Sequence, residues 1–323
     1  MIALYVVLGL ALAILCVFIV MGFIIQGIGF SKRFNPDPLV KYYTNLEFNI
    51  KRAPLEVKCH KETLRGFIYN KDAIKKDAVV VFAHGMYATV DAYNQEICTI
   101  CQRGYEVIAL NHAGVDTSTG SRLEGIGGSL KALKATIEYI NNSDEYKGRK
   151  IYVVGHSWGG YAALNIRAYY NVDKIVALAP YASANRLLLN LLPRSLKAFT
   201  PFVIFADICK NGFYCTKNAA RTLRKHPGNV LVLHSTNDPM VSYELNTGYL
   251  MDKVDGVEYL IFKRNGHNPT YTEEAVEYMR EYTDELSCTK PSEQNKLKEK
   301  TDFHKMGELN KDTMNEIVSF LNK

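Results

Sequence analysis

A pentapeptide of the form Gly-x-Ser-x-Gly, at Gly155–Gly159, constrains the fold of this 323-residue chain more than any other feature. The apolar segment Ile151–Val154 comes directly before it, and Gly160–Tyr170 follows with a helical composition. A serine on a sharp strand-to-helix turn needs neighbours without side chains, because Cβ atoms would collide there. The two glycines of the motif meet this need. Ser157 is therefore predicted to project its hydroxyl at the top of a sheet.

Short β-branched runs alternate with helical patterns over most of the chain. Ala78–Ala83 is a continuous apolar run of the kind found in strands buried on both faces. The alternation predicts an α/β fold with a mostly parallel sheet covered by helices on both faces. The other predicted strands are Leu55–Cys59, Leu64–Tyr69, Tyr105–Leu110, Lys174–Leu178, Asn229–His234 and Val257–Phe262. The other predicted helices are Asp91–Arg103, Ser129–Asn141, Tyr243–Val254 and Thr313–Leu321.

The apolar head of the chain, Met1–Phe30, has no charged side chain and one strongly polar one, Gln26. Ile2–Ile25 is long enough to cross a hydrocarbon core, which needs about 20 apolar residues. No basic residue precedes it and its end matches a cleavage site poorly, so an uncleaved anchor is predicted over a cleaved signal peptide. Lys32 and Arg33 follow, which favours a cytoplasmic domain. The opposite side stays open because large domains translocate regardless of such charges.

Three parts follow from this organisation: the anchor at 1–30, a juxtamembrane linker at 31–54, and an α/β domain at 55–323. Within the domain, Asn185–Gly228 is too long for a single crossover helix. Its stretches Leu187–Leu192 and Pro201–Ile208 are apolar. We expect an inserted cap over the strand ends, with a longer ordinary crossover as the alternative.

A serine nucleophile needs a base, and the base needs an orienting carboxylate. In this kind of fold the acid and then the histidine follow later strands. Asp238 comes after a predicted strand and precedes a proline, and His267 comes after the last predicted strand. The sequence thus predicts a triad of Ser157, Asp238 and His267. The alternative for Asp238 is an ordinary Asp-Pro turn residue.

The oxyanion formed in acyl transfer needs two backbone N–H donors. One should come from Trp158, which follows the nucleophile, and the other from Met86 in the loop after the third strand. Gly85 permits the turn of that loop. His84 is expected to support the loop rather than transfer a proton, because His267 already fills that role.

In the order of its motifs, the chain resembles the α/β-hydrolase superfamily from about Leu55 to its end. Most closely, it resembles membrane-anchored bacterial-type members related to esterases, lysophospholipases and serine aminopeptidases. The resemblance implies an eight-stranded sheet with a cap inserted after the sixth strand. The loop Asn111–Asp116 departs from the Asp-x-Arg-Gly-x-Gly pattern of many relatives, but no triad member is affected. The matching motifs are HGMY at His84–Tyr87, GHSWG at Gly155–Gly159, NDPMV at Asn237–Val241 and NGHNP at Asn265–Pro269.

The predicted function is hydrolysis of carboxylic esters, with lipophilic acyl esters at the membrane as the first choice of substrate. The predicted enzyme is thus a lipase-like serine esterase that needs no metal and no organic cofactor. Amide hydrolysis by a peptidase is the alternative, because the same triad cleaves amides. A non-catalytic binding or scaffold protein on this fold is the alternative of another class.

Charge and cysteine content argue against other classes of protein. The net charge is +6, but the basic residues are scattered and no aromatic-basic motif occurs, so no nucleic-acid partner is expected. Seven cysteines, one of them inside the apolar head, do not suggest a disulfide framework. Cys98 and Cys101 form a Cys-x-x-Cys without the second ligand pair that structural zinc requires.

Overall fold

A computed structural model of the chain describes residues 1–75 and 77–323. Its strands are β1 Arg52–Cys59, β2 Glu62–Tyr69, β3 Ala78–Ala83, β4 Glu106–Asn111, β5 Lys150–His156, β6 Lys174–Leu178, β7 Val230–Ser235 and β8 Glu258–Phe262. Its α-helices are α1 Ile2–Phe30, α2 Asn94–Gln102, α3 Gly128–Asn142, α4 Trp158–Asn165, α5 Ala184–Leu191, α6 Thr200–Asn211, α7 Ala219–Lys225, α8 Tyr249–Lys253, α9 Glu273–Cys288, α10 Gln294–Lys300, α11 Phe303–Met306 and α12 Lys311–Asn322.

The strands form one eight-stranded sheet in the order β1-β2-β4-β3-β5-β6-β7-β8. β1 pairs with β2, and β2 with β4, in antiparallel fashion, whereas every other pair is parallel. The predicted α/β class and its mostly parallel sheet are therefore confirmed. β5 lies between β3 and β6, so the residue that follows it stands at the centre of the sheet's carboxyl edge.

Hydrophobic side chains fill both faces of the sheet. Val81 and Val153 belong to a core on the face covered by α3, α4 and α7. Val80 and Val154 belong to a second core, which α2 and α12 cover from the other face. Alternate residues of each strand thus enter different cores, which explains why these strands read as continuous apolar runs.

Several predicted boundaries were wrong. The helix expected at Asp91–Arg103 starts as a 3₁₀ turn at Val90–Tyr93 and becomes α-helical only at Asn94. The predicted helix Gly160–Tyr170 instead begins at Trp158, directly after the nucleophile position, and continues beyond Asn165 as a 3₁₀ turn. Strand β1 begins at Arg52, inside the segment assigned to the linker.

The helix expected at Tyr243–Val254 starts with a π-helical turn, Glu244–Gly248. Buried Asn246 explains the wider turn, since its side chain donates to the Ser242 carbonyl and accepts from the Ala182 N–H. Helix α9 was not predicted. Its first residue could have been predicted from Thr272, a residue type that commonly caps helices. In the structure Thr272 Oγ1 accepts a hydrogen bond from the Ala275 N–H at 3.1 Å.

Two features lie outside the regular alternation of strands and helices: helix α1 and the segment between β6 and β7. Helix α1 is long and apolar enough to cross a membrane, by the same length and composition criteria that a signal sequence meets. The segment between β6 and β7 contains α5, α6 and α7, with 3₁₀ turns at Arg194–Phe199 and Phe213–Thr216. A single crossover helix would be much shorter than this segment.

Candidate active site

Ser157 occupies a strained turn between β5 and α4. Its backbone angles are φ 53° and ψ −106°, outside the regions that non-glycine residues normally adopt. A Cβ at Gly155 would lie 2.2 Å from the Gly159 carbonyl oxygen, and one at Gly159 would lie 1.9 Å from the Ala83 carbonyl oxygen. Both glycines are therefore required by close backbone packing. The Ser157 side chain is half-buried, and its Oγ forms no hydrogen bond with any described residue.

Asp238 and His267 meet in the turns after β7 and β8. His267 Nδ1 donates to Asp238 Oδ2 at 2.7 Å. The other carboxylate oxygen, Oδ1, accepts from the Met240 and Val241 N–H groups at 2.8 and 2.9 Å. His234 Nε2 is a second donor to Oδ2, at 3.1 Å. The fully buried carboxylate is thus hydrogen-bonded on both oxygens.

This environment fixes the charge of the acid and the tautomer of the base. Burial alone would raise the pKa of Asp238, but hydrogen bonds from His234 and His267 outweigh it and hold the pKa well below its usual range. Asp238 is therefore ionised near neutral pH. Because His267 uses its Nδ1 proton on this carboxylate, its Nε2 is the nitrogen left to accept a proton.

A hydrogen-bonded chain joins three of the loops around Ser157. His156 Nε2 donates to the backbone oxygen of His267 at 2.8 Å, so its Nδ1 must accept from the Tyr93 hydroxyl at 2.7 Å. The Tyr93 oxygen in turn accepts from the Gly85 N–H at 3.1 Å. Burial lowers the pKa of His156 to about 3, which keeps its ring neutral.

Neither of the two expected oxyanion donors makes a hydrogen bond with a described residue. The Trp158 N–H opens α4 and therefore has no acceptor within the helix. The Met86 N–H also makes no hydrogen bond there. Trp158 itself is immobilised, since its indole Nε1 donates to the Ile126 carbonyl at 2.7 Å and Ser129 Oγ donates to its backbone oxygen. That both N–H groups bind one oxyanion stays a prediction.

His84 connects the loops after β3 and β4. Its Nε2 accepts from the His112 N–H at 3.0 Å, and its Nδ1 donates to the Gly85 carbonyl at 2.7 Å. The two imidazole rings stack with centroids 3.8 Å apart. Burial lowers the pKa of His84 to about 4. With both ring nitrogens engaged, His84 has no free atom with which to act as a base.

The sequence analysis did not predict three residues that hydrogen-bond to the triad or to the loops that carry it. His234 is not among the predicted site residues, yet its ring hydrogen-bonds to the Asp238 carboxylate and to Thr247 Oγ1. Its place at the end of a buried strand, four residues before the acid, was a usable signal. His156 and Tyr93 gave no comparable signal, because only the folded chain brings them together.

No metal-binding site is evident in the part of the chain that the structure describes. No group of three or more His, Cys, Asp or Glu side chains there could hold a metal ion. Cys98 and Cys101 are free, buried thiols on α2.

Comparison with known proteins identifies the fold. Residues 74–206 match a family model described as serine aminopeptidase, S33. The Pyrococcus furiosus esterase Pf2001 superposes with a TM-score of 0.54 and 17% identity, covering 80% of this chain and 94% of that one. Est1E from Butyrivibrio proteoclasticus, solved with ferulic acid, has a TM-score of 0.55 and 16% identity, covering 73% of this chain and 100% of that one.

A peptidase has a similar structure as well. The Pyrococcus horikoshii acylaminoacyl peptidase has a TM-score of 0.51 and 16% identity, covering 70% of this chain and 40% of that one. No curated protein sequence matches the chain significantly. At these identities the solved structures establish the fold alone. Together with the family match and the sheet topology, they show that the chain has the α/β-hydrolase fold.

Proposed function

We propose that this protein is a serine esterase that cleaves lipophilic acyl esters. Ser157 is the nucleophile, His267 the general base and Asp238 the acid that orients it. The observation that carries the proposal is the 2.7 Å hydrogen bond between His267 and Asp238. Two further observations support the proposal. The backbone of Ser157 is strained, and the neighbouring residue, His156, hydrogen-bonds to the backbone of His267.

The mechanism is two-step acyl transfer. His267 Nε2 takes the Ser157 hydroxyl proton while Oγ attacks the ester carbonyl, and Asp238 stabilises the resulting imidazolium. The Met86 and Trp158 N–H groups bind the oxyanion. His267 then protonates the leaving alcohol, and a water molecule that it deprotonates releases the acid from the acyl-enzyme.

Helix α1 supports a membrane location for this chemistry. We infer that it is an uncleaved anchor, since its apolar length suffices to span a bilayer. Lys32 and Arg33 favour a cytoplasmic domain. The segment 185–228 is proposed to act as a cap over the strand ends.

Amide hydrolysis is the second candidate function. The matching family model is described as serine aminopeptidase, and one structural neighbour is an acylaminoacyl peptidase. The same triad chemistry cleaves amides. The ester remains the first choice because helix α1 supports a location at the membrane, where lipophilic esters are found.

Fluorophosphonate labelling of the purified protein tests the enzyme proposal, with Ser157→Ala as the matched control. Labelling of the wild type but not of the variant supports a serine hydrolase. Equal labelling of both, or of neither, contradicts it and favours a non-catalytic protein on this fold.

A substrate panel then separates the two hydrolytic functions. We expect p-nitrophenyl esters to be cleaved with a higher kcat/KM than aminoacyl p-nitroanilides, and the ratio to rise with acyl length. Preferential anilide cleavage would replace the esterase proposal with the peptidase.

Cysteine labelling in intact cells tests the orientation. Cys288 is exposed on α9, well outside the apolar helix. In a variant with Cys16 and Cys209 changed to serine, an impermeant maleimide should leave Cys288 unmodified until the cells are lysed. Modification before lysis would place the domain on the outer side.

A further inference from the structure

Helix α1 is packed along α6 over its last turns. The Phe18 ring lies 4.7 Å from that of Phe199 and 5.3 Å from that of Phe202, between centroids. A Cβ on Gly22 would lie 2.5 Å from the Phe202 backbone, so the two helices are in close backbone contact. Phe23 meets Phe205 further along. Later residues of α1 contact later residues of α6, so the helices run in the same direction.

A buried polar cluster fixes the register of this packing. Gln26, the one strongly polar side chain of α1, donates from Nε2 to Asp207 Oδ1 at 3.0 Å. Lys210 Nζ donates to Gln26 Oε1 at 2.7 Å. Gln26 is 1% exposed and Asp207 is 0% exposed. Sliding α1 along α6 would leave these buried groups unpaired, so α1 is joined rigidly to the domain.

The length of α1 sets the depth of this contact in a bilayer. The part of α1 exposed on all sides, Ile2–Val17, spans about 24 Å at 1.5 Å per residue. A hydrocarbon core is about 30 Å thick and takes about 20 helical residues, and any span of that length within the apolar run Ile2–Ile25 contains Phe18. Phe18 then lies inside the hydrocarbon. Because Phe199 and Phe202 contact Phe18, they lie at the same depth.

The protein surface around this contact is apolar and basic. Leu191 is 49% exposed and Phe205 is 47% exposed. Between them, Arg194 and Lys197 are exposed in the 3₁₀ turn. Exposed apolar side chains beside basic ones are typical of segments that lie in the interface of an anionic membrane.

Both sides of the candidate active site touch these elements. Asn190, next to Leu191, donates to the Met240 carbonyl at 2.8 Å, two residues from Asp238. On the other side, the Tyr87 hydroxyl donates to the Gly29 carbonyl at the end of α1. Tyr87 directly follows the proposed oxyanion donor.

We propose that the surface Leu191–Phe205 is immersed in the leaflet around α1, and that the acyl substrate enters the site from the bilayer rather than from water. This inference rests on the proposed membrane anchor. It specifies that the occupant of this apolar surface is lipid. The depth of α1, the parallel packing of α6 and the charge of the exposed turn all support this occupant.

Tryptophan quenching in vesicles tests the immersion directly. The full chain is reconstituted into phosphatidylcholine and phosphatidylglycerol vesicles that contain phosphatidylcholine brominated at one acyl position. Phe205→Trp reports on the proposed surface and Ile14→Trp on the anchor. Ile74→Trp is the control, since Ile74 is 91% exposed before β3, at the opposite edge of the sheet from the site. The native Trp158 is fully buried and supplies the background to subtract.

We expect lipids brominated near the head group to reduce Phe205→Trp emission at least twofold, and not to reduce that of Ile74→Trp. Deeply brominated lipids should quench Ile14→Trp most. If Ile14→Trp is quenched while Phe205→Trp behaves like Ile74→Trp, the immersion is refuted and the anchor stands. If Ile14→Trp is not quenched, the anchor and the immersion both fail, whereas fluorophosphonate labelling still decides the chemistry.

The route of the substrate has a separate test. The double variant Leu191→Asp, Phe205→Asp should hydrolyse a long-chain ester embedded in vesicles at least fivefold more slowly than the wild type. Its rate on water-soluble p-nitrophenyl acetate should stay within twofold, which also shows that it is folded. An equal loss on both substrates, or none on the embedded ester, would overturn entry from the bilayer.

Discussion

The Tyr93 hydroxyl is the central link of the hydrogen-bonded chain around Ser157, and Tyr93→Phe removes that single oxygen. The Gly85 N–H then loses its acceptor, and His156 Nδ1 loses its donor. Neither group can turn to water, because Gly85 and His156 are buried. The ring itself still fills its place beside Phe82.

Leaving a buried donor or acceptor unpaired costs about 1–3 kcal/mol. Two such groups predict a loss of roughly 2–6 kcal/mol in the free energy of unfolding. The catalytic effect comes from looser placement of the loop that carries Met86. Because a donor is displaced and not removed, we expect kcat to fall roughly tenfold to hundredfold with KM nearly unchanged, less than for a deleted oxyanion donor.

Urea unfolding in detergent micelles measures the stability change, and ester hydrolysis measures kcat. Tyr259→Phe is the matched control, because the buried Tyr259 hydroxyl has no hydrogen-bond partner in the described part of the chain. Removing it should leave stability unchanged or raise it by about 1 kcal/mol. If Tyr93→Phe and Tyr259→Phe have the same effect on stability, the hydrogen-bonded chain contributes nothing and the reasoning is refuted.

Three further outcomes are expected. Asp238→Asn should lower kcat by roughly 10³–10⁴-fold, measured on a soluble ester, because His267 loses the partner that sets its tautomer; a change below tenfold would remove Asp238 from the triad. Burial raises the pKa of Glu96 to about 7, from 4.5 in the unfolded chain, so this carboxyl should contribute roughly 3 kcal/mol of stability below pH 4.5 that is lost as pH rises past 7. The free energy of unfolding of the wild type, minus that of Glu96→Gln, should therefore fall by roughly 3 kcal/mol over this pH range, as unfolding curves at several pH values will show; a difference that does not change with pH would contradict the assignment. Gly159→Ala should abolish folding or fluorophosphonate labelling because its Cβ meets the Ala83 carbonyl, whereas Gly29→Ala, with open space around it, should be neutral in both assays.

The sheet and the elbow were predictable from sequence because their causes are local. A strand buried on both faces must be apolar throughout, as Ala78–Ala83 is, and a turn packed against a neighbouring strand must use glycine, as at Gly159. The positions of Asp238 and His267 followed from strand order alone. The structure places these two side chains in hydrogen-bond contact.

What escaped prediction depends on contacts between distant parts of the chain. Tyr93 and His156 are 63 residues apart, and nothing in either local sequence indicates their pairing. The segment after His267 is rich in charged residues and only Ala275 of α9 is buried, so α9 was overlooked despite its Thr272 cap. Gln26 was counted as a polar exception within an anchor, whereas it is the residue through which α1 bonds to Asp207.

The Gln26–Asp207 contact has a consequence for how the protein can be handled. Removing the apolar head to obtain a water-soluble protein would also remove contacts that α1 makes with the domain. Phe202 would lose its cover, and the buried Asp207 carboxylate would lose one of its donors. The shortened chain would expose the apolar surface of α6 that α1 covers, and an exposed apolar surface promotes aggregation. Purification should therefore retain the first helix in detergent or lipid, or replace the α6 face that it covers.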